Sequence, residues 1–346
     1  MDQTGAQSGT GIPITTIRNL QRALLKYREP DQARSLFELL ITIAPFVALW
    51  TVAWWAMSIG YWLTLLLSMP AALFLVRLFL IQHDCGHGAF FRARQANNWL
   101  GRTLGILTFT PYDVWRRQHA MHHASSGNLD RRGIGDIDTL TVREYRRLPR
   151  FRRLVYRLYR NPLVMFGIGP AYQFILRNRA PSGISTGDRH FWFSAMGTNV
   201  SIIVAASVVI YLVGLKAFIL VQLPIIVIAA SIGVWLFYVQ HQFEDTIWEH
   251  DGNWDLGDAA LHGSSHYDLP RPLAWITAYI GVHHVHHLNS RIPYYRLPQV
   301  LRDFPELIEL RRLTLGKSLS CLRLRLWDEQ GRRLVSFAEA RMLTAR

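Results

Sequence analysis

Four long stretches free of charge constrain this chain more than any other feature. Leu39 to Ile59 runs 21 residues without a charged side chain, and Tyr61 to Ile81 runs 21 with only Arg77, near its end. Phe191 to Val213 and Ala217 to Val239 are 23 residues each and carry none. As helices, all four are long enough to cross the ~30 Å hydrocarbon core of a bilayer. Only Gly60 separates the first pair, and Gly214-Leu215-Lys216 joins the second, so each pair predicts a tight transmembrane hairpin. The two hairpins are alike in hydropathy but share no sequence repeat. Arg77, close to a helix end, is expected to snorkel to the interface.

Charge orients these hairpins. The net charge of +14 comes mainly from arginine, a balance that suits nucleic acid or an anionic membrane surface. Four spans make the membrane the economical partner, and no nucleic-acid role is expected. Residues 82–190 hold 18 of the 38 Lys and Arg, 241–346 hold 13 and 1–35 hold 5. The positive-inside tendency places these three segments, and both termini, in the cytoplasm with the hairpin tips outside. Cys85 and Cys321 make no disulfide framework. The first 35 residues lack the short apolar core of a signal peptide. They read as a Gly/Ser/Thr-rich lead without packed structure, followed by a basic, weakly amphipathic segment, Ile17 to Arg34, expected on the membrane surface.

Trp99 to Pro111 and Pro162 to Leu176 are apolar but short or broken by Gly and Pro, and read as interfacial or re-entrant pieces. Residues 303–346 read as a soluble appendage. Within it Leu322 to Leu326 alternates strictly, Asp328-Glu329-Gln330-Gly331 supplies a turn and Arg332 to Phe337 a second strand, which predicts a small β-hairpin. The expected fold is an all-α integral membrane protein, with four transmembrane helices in two hairpins and a cytoplasmic helical cap. The expected division is an N-terminal cytoplasmic segment 1–35, a membrane domain 36–305 and a C-terminal cytoplasmic tail 306–346.

The 14 histidines are distributed unevenly. His83 and His87 follow the second span; His119, His122 and His123 lie in His-Ala-Met-His-His; His241 follows the fourth span; and His283, His284, His286 and His287 crowd into five residues. All fall on the side assigned to the cytoplasm. On a helix, an i, i+4 pair or an i, i+3, i+4 triplet presents its rings on one face. Each ring brings two nitrogens that need partners when buried, so clusters at matching spacing serve metal binding better than packing. With one triplet drawn from the last cluster, nine imidazoles exceed the four ligands of one zinc and suit two metals at four or five each. Imidazole suits zinc, copper, iron and nickel alike, so ligand type does not choose. Taken alone, His83/His87 is equally readable as a helix-end pair bonded to carbonyls, and His241 as an interfacial side chain. His190, His250, His262 and His266 stand outside the pattern and are expected on the surface or in loops.

The order His-x3-His, His-x2-His-His, His-x2-His-His, threaded around two hairpins, resembles the membrane fatty acyl desaturases over roughly residues 35–305. His83-Asp84-Cys85-Gly86-His87-Gly88, Gly135 to Thr141 and Val239 to Asp245 are similar to the acyl-lipid branch that includes Δ12-type enzymes. The resemblance implies that His83, His87, His119, His122, His123, His241, His283, His286 and His287 ligate two irons, with O2 as co-substrate. The matching spacing of 119/122/123 and 283/286/287 leaves His284 turned about 100° away. Removing hydrogen from an unactivated methylene is beyond any acid, base or nucleophile in a protein, and iron with dioxygen is the usual oxidant. The implied substrate is a membrane acyl-lipid. The implied electron donor is a separate protein of ferredoxin or cytochrome b5 type, because the chain shows no flavin, cytochrome b5-like or Rossmann fingerprint. The implied location is a bacterial plasma membrane.

Asp84, Asp113, Asp136, Asp138, Glu244 and Asp245 lie beside the clusters and are candidates to hold ligand histidines by their second ring nitrogen; the plain alternative is pairing with arginines. Arg116, Arg117, Arg131 and Arg132 read first as contacts to anionic headgroups. A hydroxylase or other lipid oxygenase on the same frame is the alternative reading. A metal transporter would need ionisable residues along its spans, and only Arg77 is there.

Overall fold

The computed structural model describes residues 14–133, 135–181 and 188–343; the lead at 1–13 lies outside the described residues. Four membrane-length helices dominate: α1 (Gln32–Ala56), α2 (Tyr61–His87), and, later in the chain, Arg189–Val213 and Leu215–His241. Between the pairs lie α3 (Arg94–Leu107), α4 (Tyr112–Ser125) and α5 (Arg150–Tyr159), so the last two membrane helices are α6 and α7. A short helix, α8, spans His283–Leu288. The chain is an all-α membrane protein with only small sheets.

Each membrane helix begins or ends for a local reason. Asp31 caps α1, its side chain accepting from the Arg34 amide at 3.1 Å. α2 stops at Gly88, whose φ of 67° is a left-handed conformation that glycine adopts without strain. There the Gly88 and Ala89 amides donate to the Cys85 and Asp84 carbonyls, closing the helix end. α6 passes to α7 through Gly214 alone, at φ 86°. The middle helix is α2: it packs against α1, α3 and α7 and is the most buried of the four. α6 buries only Ala195 and Thr198 and leaves Phe193, Val200, Ile203, Val204 and Val208 outward, as a lipid-facing helix does.

The helices overrun the apolar runs. α2 continues from Ile81 to His87 and α7 from Val239 to His241, so the first and fourth histidine positions are the projecting ends of spans. Arg77 does not snorkel. It is fully buried, ion-paired to Glu38 of α1, and donates to Thr42 Oγ1 at 3.1 Å. A buried carboxylate one helix away satisfies it where it stands.

Ile17 to Arg34 is not a surface-lying segment either. Ile17, Leu24 and Tyr27 are buried in the main core, and Arg28 donates to Asn289 at 2.8 Å. Of the two interrupted pieces, Trp99 to Pro111 is mostly α3, and 164–176 is a helix with π-helical turns at Val164–Ile168 and Tyr172–Leu176. The β-hairpin exists but is shorter than the alternation predicts. β3 (Leu326–Asp328) pairs antiparallel with β4 (Arg333–Val335), whereas Leu322 and Arg323 belong to a 3-10 turn. A parallel pair, β1 (His266–Asp268) with β2 (Arg312–Thr314), was not signalled. The tail does not stand off as an appendage: Leu307, Leu313 and Cys321 enter the main core.

Candidate metal centre

Four helix ends converge at one side of the membrane helices. α2 delivers His83 and His87, α4 delivers His119, His122 and His123, α7 delivers His241, and α8 delivers His283, His286 and His287. Their rings sort into two groups: His83, His87, His119, His123 and His286 in one, and His122, His241, His283 and His287 in the other. Within each group one ring nitrogen per residue lies within 4.8 Å of all the others. The nine histidines that the resemblance implies as ligands are the nine that the fold brings together.

The sorting explains the spacing. In each triplet the i and i+4 rings share a group while the i+3 ring serves the other. His119 and His123 join the five-histidine group and His122 leaves it; His283 and His287 join the four-histidine group and His286 leaves it. Residues i+3 and i+4 lie about 100° apart around a helix, so a triplet straddles two centres whereas the His83/His87 pair serves one.

For eight of the nine the inward atom is Nε2. His119 Nε2 stands 3.0 Å from both His87 Nε2 and His123 Nε2, and His123 Nε2 is 3.2 Å from His286 Nε2. In the other group His241 Nε2 is 3.2 Å from His122 Nε2 and 3.0 Å from His283 Nε2, which is 3.1 Å from His287 Nε2. A neutral imidazole nitrogen offers either one N–H or one lone pair, so such crowding is poor hydrogen bonding. It is good coordination geometry: imidazole–metal bonds of about 2.1 Å at right angles hold neighbouring nitrogens ~3 Å apart. Burial and the neighbouring imidazoles push His119, His123, His283, His286 and His287 well below the usual histidine range. Their rings are therefore neutral, with free lone pairs, the form a metal requires.

His284 points elsewhere. Its Nε2–H donates to the Leu307 carbonyl at 3.0 Å, and burial pulls its pKa to about 3. His262 and His266 are buried, not on the surface, and His266 Nδ1–H donates to the Ile308 carbonyl at 2.6 Å. They pack under α8, a layer no spacing rule announces. His190 and His250 are exposed.

Of the six acids, Asp136 alone among the described residues hydrogen-bonds a cluster histidine, with Oδ1 2.5 Å from His122 Nδ1. Gly135, at φ 75°, lets this segment press on α4: a Cβ there would lie 3.1 Å from the Gln118 carbonyl oxygen and 3.3 Å from His122 Cβ. Asp84 Oδ1 is 3.5 Å from His83 Nδ1 while its Oδ2 accepts the Tyr294 amide at 2.8 Å. Asp113 is taken by Arg102 at 2.9 Å, and the Glu244 and Asp245 side chains are exposed. Asp138 contributes its backbone, the carbonyl accepting from Arg160 at 3.0 Å. Asp136→Asn is expected to weaken metal retention about 10–100-fold, read as metal lost to a chelator over time. Unchanged retention would show that Asp136 does not hold His122.

Two aromatic residues were missed. Trp115 stacks on His119 with centroids 4.7 Å apart, and Phe237 lies 5.1 Å from the His122 ring and 5.2 Å from that of His241. Each stands four residues before a histidine of its own helix, a spacing that makes the contact readable.

Comparison with known proteins agrees with this geometry. The profile of the fatty acid desaturase family matches residues 59–317. The chain is similar to a fatty acid desaturase of Bacillus subtilis (strain 168), 45% identical over 327 residues that cover 93% of this chain and 92% of that one. It is also similar to an sn-1 acyl-lipid omega-3 desaturase (ferredoxin) of Synechocystis, 30% identical over 64% of this chain and 61% of that one. An sn-1 oleoyl-lipid 12-desaturase of the same organism is 26% identical over 63% and 62%.

Proposed function

This chain belongs to the fatty acid desaturase family, and from that premise we propose that it desaturates the acyl chain of a membrane lipid, using O2 and two iron ions held by the nine clustered histidines. The observation that carries this reading is the convergence of nine histidine ring nitrogens, five and four, where the membrane-length helices end. Iron bound there would supply the oxidising power to take two hydrogens from neighbouring methylene carbons.

The chain's own residues supply position and exclusion. His83, His87, His119, His123 and His286 would hold one ion, and His122, His241, His283 and His287 the other, with Asp136 fixing the His122 tautomer. Trp115 and Phe237 back the two groups with apolar surface and keep water from the rings. The sites sit where the membrane-length helices end, on the side from which an acyl chain would be drawn out of the bilayer.

The arginine distribution supports a cytoplasmic site and termini, and the likeness to a Bacillus subtilis protein supports a bacterial plasma membrane. The electron donor is a separate protein of ferredoxin type, a reading supported by the name of the Synechocystis relative. The site is carried by residues 36–305, and the flanking segments pack into the same core through Ile17, Leu24, Tyr27, Leu307, Leu313 and Cys321. The test is expression in a host that makes only saturated and monounsaturated lipids, with a ferredoxin and its reductase, and mass-spectrometric location of new double bonds. Dienes are expected. Hydroxy acids would shift the reaction to hydroxylation, and unchanged lipids with iron bound would overturn the substrate.

A further inference from the structure

Helix α5 carries an apolar stripe that turns its back on the protein. Phe151, Leu154, Val155 and Leu158 are 74%, 54%, 47% and 53% exposed. At 100° per residue they fall within an arc of about 100°. Tyr156, on the opposite side, is buried and anchors the helix: its hydroxyl accepts from the Leu140 amide at 3.1 Å and donates to the Arg325 carbonyl at 2.9 Å. Arg150 flanks the stripe on one side and Arg152 on the other, while Arg153 lies farther round, toward the buried face. The guanidinium groups of all three make no ion pair or hydrogen bond among the described residues.

A soluble surface seldom shows four large apolar side chains in register. Here the stripe is not isolated. The chain runs on through Leu163, Ile168, Tyr172 and Leu176, all exposed, along a helix whose Phe166 packs against Trp235 and Tyr238 of α7 at 5.2 Å. The exposed apolar side chains of α5 thus lead along the chain onto a helix that packs against a spanning helix, and unpaired arginines border them. We propose that α5 lies in the headgroup–acyl boundary of an anionic leaflet, stripe inward to the acyl chains and arginines to the phosphates. Its inner face holds residues 138–140, next to Asp136, so seating α5 fixes the depth of that loop against the bilayer.

The test uses the full chain in lipid discs, with Phe151→Cys, Leu154→Cys and Arg152→Cys each carrying a spin label. Cys85 and Cys321 are buried, which favours labelling at the new thiol, and native metal content checks folding. In discs containing phosphatidylglycerol, labels at 151 and 154 are expected to collide with oxygen several-fold more than with a water-soluble nickel chelate, and the label at 152 the reverse. With phosphatidylcholine alone, nickel access at 151 and 154 should rise several-fold. Equal nickel access at all three positions in anionic discs would overturn the proposal and leave the stripe to a protein partner. Identical burial in neutral discs would overturn its anionic component.

Discussion

Alanine at any of the nine clustered histidines is expected to lower desaturation more than ~100-fold, since even the partner of a ligand histidine is worth about 10–100-fold. Metal content should divide the nine. The four-histidine group falls to three imidazoles in His122→Ala, His241→Ala, His283→Ala or His287→Ala, and those variants should retain about one metal per chain against the two expected of the native protein. The five-histidine group keeps four imidazoles after any single loss, a full tetrahedral set. His83→Ala, His87→Ala, His119→Ala, His123→Ala and His286→Ala should therefore keep more metal while losing activity. His284→Ala should keep both, because its ring is spent on the Leu307 carbonyl. Metal-to-protein ratios on purified variants decide this. Equal metal loss at all ten positions would show that the two groups do not act as separate centres.

The centre was more legible than the fold around it, for physical reasons. Ligand histidines need helical spacing, and spacing is written locally, so His119, His122 and His123 could be read as a unit. Their partition between two groups could not, because it depends on where α8 meets α4, residues 160 or more apart. The spans were legible from length and hydropathy, but their ends were not: α2 reaches His87 because Gly88 closes it and the cap buries its last turns, neither of which hydropathy registers. The β-hairpin was over-extended because Leu322-Arg323-Leu324 alternates like a strand, yet Cys321 is drawn into the core and the chain takes a 3-10 turn. Arg77 was misplaced because its partner, Glu38, sits just before an apolar run and looks like a flank.

That pair sets the second large effect. Glu38 and Arg77 are both essentially unexposed, and taking a charge out of water is repaid only while its partner stays. Glu38→Leu leaves the Arg77 guanidinium facing Thr42 Oγ1, the Trp275 carbonyl and the Trp275 ring 4.3 Å away, with no negative charge. A loss of about 3–5 kcal/mol is expected. Arg77→Met should cost less, because Glu38 retains Arg34 at 2.6 Å, whose half-exposed guanidinium brings screening water. The double variant Glu38→Leu/Arg77→Met removes both charges from an apolar helix contact and should recover part of the loss, giving a coupling of more than ~1 kcal/mol. Unfolding in detergent micelles measures all three, and strictly additive losses would show that the pair is not coupled. The centre should register the change as well. The Tyr294 hydroxyl lies 3.2 Å from Glu38 Oε2, and its amide donates to Asp84 Oδ2 at 2.8 Å, one residue from His83. Glu38→Leu frees that tyrosine and loosens the first histidine pair, whereas Arg77→Met keeps the Glu38–Tyr294 contact. Iron should therefore leave the first variant faster than the second, in the same order as the stabilities.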